Sequence, residues 1–484
     1  MAEHEMWMQG ESQAVEYKEY FDGKADRSRF MRTVVAFANG AGGKIVIGIE
    51  DGTGRVVGLP AEANLPQLMD AVVNAVMDQC APMISLQVRL ESYQGKNVLV
   101  TDVFPGNMTP YFVRRLGRTD GVFVRVGATT RPADDAVRRE LEFRGARRSL
   151  DAERSSRAGE LTAERIDGLC DRLYREAAKN AASLAFSEPV LRPGLPQLKS
   201  WQLVTETDGR LWPTYGFELL EGTAEDMPGA VVRCGLFLGT SRVAIGDTKV
   251  FKGGLIEEFH QTMEWILSKL ETRWVIEGGE RYDVPELPPE AIRELVMNAL
   301  CHRSYFAADE PVTVAFYRDR LEITSPGGLP ASLSLAQVLK GHTVFRNAAL
   351  ANALLYCRLI ERWGSGIPRA FAAMERWKLL PPEMEDMGTA LRVVLRRPSA
   401  DWDASRVLQP LKGEEPSALD KETTQEEAVL AAIRRKPKAT LRELSDEIGI
   451  NLTGRQIRYI EDKLKAAGRL ERKGRGGGYW IVKD

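Results

Sequence analysis

The sequence predicts a multidomain protein of the α/β (α+β) class, on three observations. At 484 residues the chain is too long for one ordinary core. Helical and strand periodicities alternate through residues 1–150 and again through 286–397. A polar, aliphatic-poor stretch, RRPSADWDASRVLQPLKGEEPSALDKETT, then precedes a compact last block. The expected layout is a first lobe over 1–150, a connector over 151–285, a third domain over 286–397, a linker over 398–424 and a small domain over 425–484.

Composition narrows the function classes. A formal net charge of -2 excludes a uniformly basic nucleic-acid coat but leaves room for local basic patches. The five cysteines and four histidines have no paired spacing, which argues against a disulfide framework and a zinc knuckle. The opening MAEHEMWMQG carries acid where a signal peptide needs base, and no run reaches the length of a membrane span. A cytoplasmic protein with no membrane partner is expected.

In the first lobe, DRSRFMRTVVAFANG has a helical period through Phe30, Val34, Val35 and Ala38 and stops at Asn39-Gly40. GGKIVIGIED reads as a buried strand, NLPQLMDAVVNAVMDQC as an amphipathic helix, and SLQVRLESY and KNVLVTDVF as strands around a Gln94-Gly95 turn. GVFVRVGATT reads as one further strand and DDAVRRELEFRGARRS as a charged helix. Between Arg114 and Arg148 ten arginines face five acids. Arg114, Arg115 and Arg118, beside Tyr111 and Phe112, suit phosphate binding with an aromatic against a base, and Arg125 is placed with them.

The opening ESQAVEYKEY raises a chemical question. If AVEYKEY is extended, Glu16 and Lys18 share one side of the strand, and Asp51 closes another strand. Cutting a phosphodiester needs a divalent metal held by carboxylates and a cation for the developing charge. On spacing alone a solvated pair is favoured, and alternation allows only one of Glu50 and Asp51 to face such a site. The order of ESQAVEYKEY, VVAFANGAGGKIVIGIEDGTGRVVGL and PYFVRRLGRTDGVFVRVGATTRPA strongly resembles the AlbA_2 domain of the Schlafen family over residues 10–150. That resemblance implies that Glu11, Glu16 and Asp51 bind Mg2+ or Mn2+ and cut tRNA or other nucleic acid, with Lys18 alongside. Many single-copy bacterial relatives are described only as DNA-binding proteins, so binding of nucleic acid is the safer inference from the resemblance. Eukaryotic Schlafens pair two such lobes, so this chain would build a comparable groove as a homo-oligomer.

The connector is read as a helix at AERIDGLCDRLYREAAK, strands at YGFELL and AVVRCGLFLG, and a long helix in GGLIEEFHQTMEWILSKLETRW, with Trp201, Trp212 and Trp274 in the core. In the third domain, PPEAIRELVMNALCHRSYF is a helix with proline at its start and Glu294 and Asn298 on one face. Glycine turns follow at Gly327-Gly328 and at Gly364 and Gly366, and such turns can cradle phosphates. The order resembles a divergent GHKL-type ATPase domain with a Bergerat-like α/β sandwich. The resemblance implies ATP on the four glycines, Glu294 as the water-orienting base, Asn298 as a magnesium ligand, and Arg346 and Asn347 in a lid. Where the superfamily reads adenine with aspartate, this chain has Thr324-Ser325-Pro326, so adenine recognition departs from the pattern.

Residues 425–484 read as helix, helix, turn, helix and glycine hairpin, similar to a winged helix-turn-helix. Fourteen Lys and Arg against nine Asp and Glu make this block +5. Arg455, Gln456 and Arg458 would open the recognition helix, and Arg472, Lys473 and Arg475 would populate the wing. A winged helix used for protein contacts is the alternative. The combined expectation is a metal-dependent, nucleotide-gated nuclease on RNA or single-stranded DNA in antiphage defence. Its rivals are an ATP-responsive DNA-binding transcriptional regulator and an ATP-driven assembly factor.

Overall fold

The structure is a computed structural model describing residues 10–404 except 22–23, 61, 184–188, 278–279, 331–332 and 400–401; beyond 404 it describes residues 433, 458, 465, 470–473 and 479–482. The chain forms two compact units, Met1–Val407 and Leu408–Asp484.

The first lobe is built on a four-stranded sheet. Val15–Lys18 runs parallel to Gly43–Ile47, then come Lys96–Val103 and Leu86–Tyr93, both antiparallel. A parallel pair needs a crossover, and the helix Lys24–Asn39 supplies it, burying Phe30, Met31, Val34 and Val35 against the sheet. The helix Leu65–Gln79 is capped by the Asn64 side chain, which accepts the Gln67 N–H at 3.3 Å. The strands Leu86–Tyr93 and Lys96–Val103 turn at Gln94-Gly95, both with positive φ. The segment GVFVRVGATT is not one strand: it folds at Gly127 into a hairpin of Phe123–Val126 and Thr129–Pro132. Asn39 is more than a helix end. Its fully buried side chain accepts the Tyr111 N–H at 2.7 Å and donates to the Tyr111 and Phe123 carbonyls at 2.9 and 3.0 Å. This latch holds the start of the hairpin against the crossover helix.

The second sheet has six strands, ordered Ile245–Phe251, Val232–Phe237, Val312–Phe316, Arg320–Pro326, Ala390–Arg396 and Glu383–Asp386. Residues 151–285 therefore contribute two strands to the sheet of 286–397, and one hydrophobic core runs through both stretches. YGFELL is not a strand but the helix Tyr215–Glu221. Thr214 caps it by accepting the Phe217 N–H at 3.4 Å, and Gly222 ends it in the left-handed region. Trp274 is not a core residue: it is 69% exposed, with the Arg281 guanidinium 4.1 Å over its ring. In the hairpin of Thr272–Glu277 and Glu280–Pro285, alternation turns Val275 inward and Trp274 and Ile276 outward. All five cysteines are free and buried. Among the described residues no helix is long and apolar enough to cross a membrane.

The core also holds Glu258, whose carboxylate accepts the Gly253 N–H at 3.2 Å. Burial pushes its pKa up to about 8, against the opposing pull of Arg303. The folded value lies above the ordinary one, so this group's contribution to stability is complete below about pH 4.5 and is lost as pH rises through about 8. Glu258→Gln is expected to match wild type near pH 5 and to be on the order of 1–3 kcal/mol more stable at pH 9, read by urea titration at both pH values. Asn39→Ala strands the buried Tyr111 N–H and is expected to cost about 2–4 kcal/mol in the same titration.

Candidate functional sites

The strand Val15–Lys18 brings the first set of predicted side chains together. Lys18 is buried, and its ammonium donates to Glu16 Oε1 at 2.6 Å and to the Tyr17 carbonyl at 2.8 Å. Asp51 Oδ2 lies 3.5 Å from the same nitrogen. Glu11 Oε1 accepts the Tyr17 N–H at 3.0 Å. Burial pushes the Glu11 pKa up despite that bond, and the negative charges of Asp51 and Glu16 raise it further. The three carboxylates thus share one electrostatic neighbourhood around a buried ammonium, where opposite charge has to be supplied locally. Glu50 turns away to Arg55 and Thr53, whose hydrogen bonds hold its carboxyl at about 2. The residue facing the cluster is Asp51.

All the donors here are carboxylate oxygens, which suit a hard divalent cation. Among the described residues, however, no group of three or more His, Cys, Asp or Glu side chains is arranged to hold a metal ion. At Glu16 the second oxygen accepts from Arg125 at 2.7 Å, so both of its oxygens already face cations.

Arg125 is accordingly no phosphate-gripping surface residue. Its side chain is 4% exposed and also donates to Thr130 Oγ1 and the Ser12 carbonyl. Arg114, Arg115 and Arg118 are exposed. Arg114 donates to the Cys80 carbonyl at 2.9 Å, and Arg118 lies 5.7 Å over the Phe112 ring. Tyr111 is buried in the core and offers no stacking face.

A cavity of about 110 Å³ lies in the six-stranded lobe. Glu294 and Asn298, from the helix Pro289–His302, line it together with Gly327, Gly328, Arg346, Gly364 and Gly366. Burial raises the Glu294 pKa, opposed by Arg369 and Arg293, and Arg369 donates to Glu294 at 3.0 Å. The helix Gly366–Arg376 brings its first residue so close that a Cβ on Gly366 would stand 2.5 Å from Glu294 Oε2. Ile323, Val338, Leu391 and Val393 make the interior apolar. Among the described residues no aspartate lines this cavity, and the Ser325 hydroxyl is spent on the Ala299 carbonyl. Asn298 and the glycine backbones are chemically suited to a nucleotide. Cavities that hold drug-sized ligands are roughly 300–1,000 Å³, so this one must widen to admit it.

Two expected lid residues behave otherwise. Asn347 is buried, and its side-chain amide donates to the Cys301 and Arg303 carbonyls at 2.9 Å each, so it does not line the cavity. Arg346 donates to the Gly328 carbonyl at 2.7 Å, to the His302 carbonyl, and to Glu140 of the first lobe at 2.7 Å. His302 stacks on Phe345 at 5.6 Å, and burial pushes its pKa down to about 4, so it is a neutral packed ring. Glu140, which accepts from Arg346, and Asp386, which Gln13 reaches at 3.5 Å and which accepts the Leu329 N–H at 3.3 Å, were not legible in the sequence, because these contacts join segments far apart in the chain and no local motif marks them.

In the second unit, Arg455, Gln456 and Arg475 lie outside the described residues. Arg458 is helical and exposed. Leu470–Lys473 pairs antiparallel with Tyr479–Val482, placing Arg472 opposite Trp480 and Lys473 opposite Tyr479, and the glycines expected to turn between them lie outside the described residues.

Residues 11–134 match the family model described as Schlafen, AlbA_2. Residues 309–395 match that described as Putative ATP-dependent DNA helicase recG C-terminal. Among solved structures, the DIP2311 protein from Corynebacterium diphtheriae is 20% identical, covering 97% of this chain and 92% of that chain at a TM-score of 0.44. The N-terminal domain of a putative ATP-dependent DNA helicase RecG-related protein from Nitrosomonas europaea is 22% identical, covering 26% of this chain and 86% of that chain at a TM-score of 0.20. No curated protein matches the chain.

The cavity's loops touch at Gly364, which has φ +65°, and a Cβ there would fall 1.8 Å from the Gly341 carbonyl oxygen. Gly364→Ala is expected to cost about 1–3 kcal/mol and to weaken nucleotide binding at least ~10-fold, checked by urea titration and calorimetry with MgATP.

Proposed function

We propose that this chain, which carries a Schlafen AlbA_2 domain over residues 11–134 and a RecG-C-terminal-like ATPase domain over 309–395, binds nucleic acid and nucleotide and cuts RNA or single-stranded DNA at its AlbA_2 site. The observation that carries the reading is the convergence of Glu16 and Asp51 on Lys18, with Glu11 beside both carboxylates. If Glu16 released one of its two cation partners, a divalent ion held by Glu11, Glu16 and Asp51 would supply a Lewis acid for the scissile phosphate and the attacking water. Lys18 then faces the charge that develops on phosphate oxygen, and Arg125 keeps Glu16 oriented from behind. The exposed Arg114, Arg115 and Arg118 supply non-specific phosphate attraction. In the other lobe, Glu294 and Asn298 would serve a nucleotide and its magnesium, with the glycine turns around the phosphates. Because one chain has one AlbA_2 lobe, a two-lobed groove around substrate requires a homo-oligomer. The family resemblance supports a role in antiphage defence.

A second reading is favoured by Glu16, both of whose oxygens are already paired. The chain would then be an ATP-responsive DNA-binding regulator, with the basic hairpin around Arg472 and Lys473 contacting a duplex.

Purified protein incubated with tRNA, single-stranded DNA and duplex DNA plus Mn2+ separates the two. Cleavage that falls at least ~100-fold in Glu16→Ala supports the nuclease, as expected for a lost metal ligand. Equal products from wild type and Glu16→Ala would remove it. The rate is also expected to rise with pH through the raised Glu11 pKa, since the proton and the metal compete for that carboxylate. A pH–rate profile of wild type against Glu11→Gln checks this.

A further inference from the structure

The wall of the small cavity is also the floor on which the first lobe sits. Gly327, Gly328, Leu329, Pro330 and Arg346 line both this cavity and a cleft of about 540 Å³ between the AlbA_2 lobe and the six-stranded lobe. A wall shared in this way cannot shift on one side alone, and a cavity of about 110 Å³ must widen to take a nucleotide.

The first lobe grips that wall at two places. Glu140 accepts from Arg346 at 2.7 Å and lies 3.4 Å from the Ser304 hydroxyl. Arg346 itself reaches the Gly328 carbonyl, and its side chain is 7% exposed, so the pair is largely shielded from water. At the second place, Val126 lies where a side chain on Gly388 would be, with its methyls 2.8 Å from that Cβ position. Gln13 reaches Asp386 at 3.5 Å, and Asp386 in turn accepts the Leu329 N–H at 3.3 Å.

These second contacts are covalent neighbours of the acidic cluster. Val126 follows Arg125, which pairs with Glu16, and Gln13 follows Ser12, whose carbonyl accepts from Arg125. From these contacts we infer that the Glu140–Arg346 bridge and the Val126–Gly388 contact couple nucleotide occupancy to nucleic-acid binding at the AlbA_2 site. The inference rests on the proposed function. Nucleotide entry displaces the Gly327–Pro330 wall and Arg346, weakens the grip of Glu140, and shifts the Ser12–Gln13 and Arg125–Val126 segments that hold Glu16. Linkage makes the effect reciprocal: nucleic acid must change nucleotide affinity by the same factor.

The test uses the full chain, with labelled tRNA and labelled single-stranded DNA titrated with and without a non-hydrolysable ATP analogue and Mg2+. In wild type the analogue is expected to change nucleic-acid affinity about 5-fold or more. In Glu140→Ala the factor should fall to within about 2-fold of unity while each ligand alone still binds. Val126→Ala, a milder change, should lower the factor partway, and melting curves of both variants verify the fold. The same factor in wild type and both variants would overturn the coupling while leaving both binding sites standing. A wild type that binds the analogue and nucleic acid with no mutual effect would overturn it equally. Failure of wild type to bind either ligand would instead bring down the proposed function, and this inference with it.

Discussion

Two buried cations meeting on one carboxylate hold the first lobe's chemistry and its architecture together. Lys18 and Arg125 both point at Glu16, one from within the same strand and the other from the hairpin Phe123–Val126 and Thr129–Pro132. An ammonium or guanidinium taken out of water carries a desolvation cost that only close opposite charge offsets. The hairpin therefore has to lie where Arg125 can reach Glu16, and the Asn39 latch holds its first residue there. Arg125 Nε is left without a hydrogen-bond partner, while its guanidinium also lies 5.0 Å over the Phe37 ring. The carboxylate that would serve a metal is thus the one that keeps the lobe closed.

The second lobe depends on a different constraint, the sharing of one sheet by two distant stretches. Val232–Phe237 pairs in parallel with Val312–Phe316, so the long helix Leu255–Lys269 and the helix Pro289–His302 lie in the connection between them. That arrangement carries Glu294 and Asn298 to the cavity beneath the glycine turns. It also explains why the cavity is small: Glu294 is drawn to Arg369 and to the first turn of Gly366–Arg376. The two lobes then meet over the Gly327–Pro330 loop, where Arg346 serves both.

Much of this was legible from local pattern. The crossover helix, the Gln94-Gly95 hairpin and the helix bearing Glu294 and Asn298 follow from periodicity and turn chemistry. Short apolar runs were less so. YGFELL alternates too briefly to tell a strand from a helix turn, and the Thr214 cap with Gly222 decided for helix. GVFVRVGATT hid a hairpin because Gly127 alone marks its turn. Arg125 looked like one more surface arginine because charge counts do not say which way a side chain points.

The sequence by itself determined the residue types of both sites, their place on strand ends, helix faces and glycine turns, and the family resemblance, since these depend on neighbours along the chain. Tertiary structure decided that Asp51 rather than Glu50 joins Glu16, that Arg125 is buried, that Asn347 supports the fold, and that Arg346 reaches Glu140. Each of these turns on which distant groups compete for one side chain. Burial and pairing set that competition, and both exist only once the chain has folded.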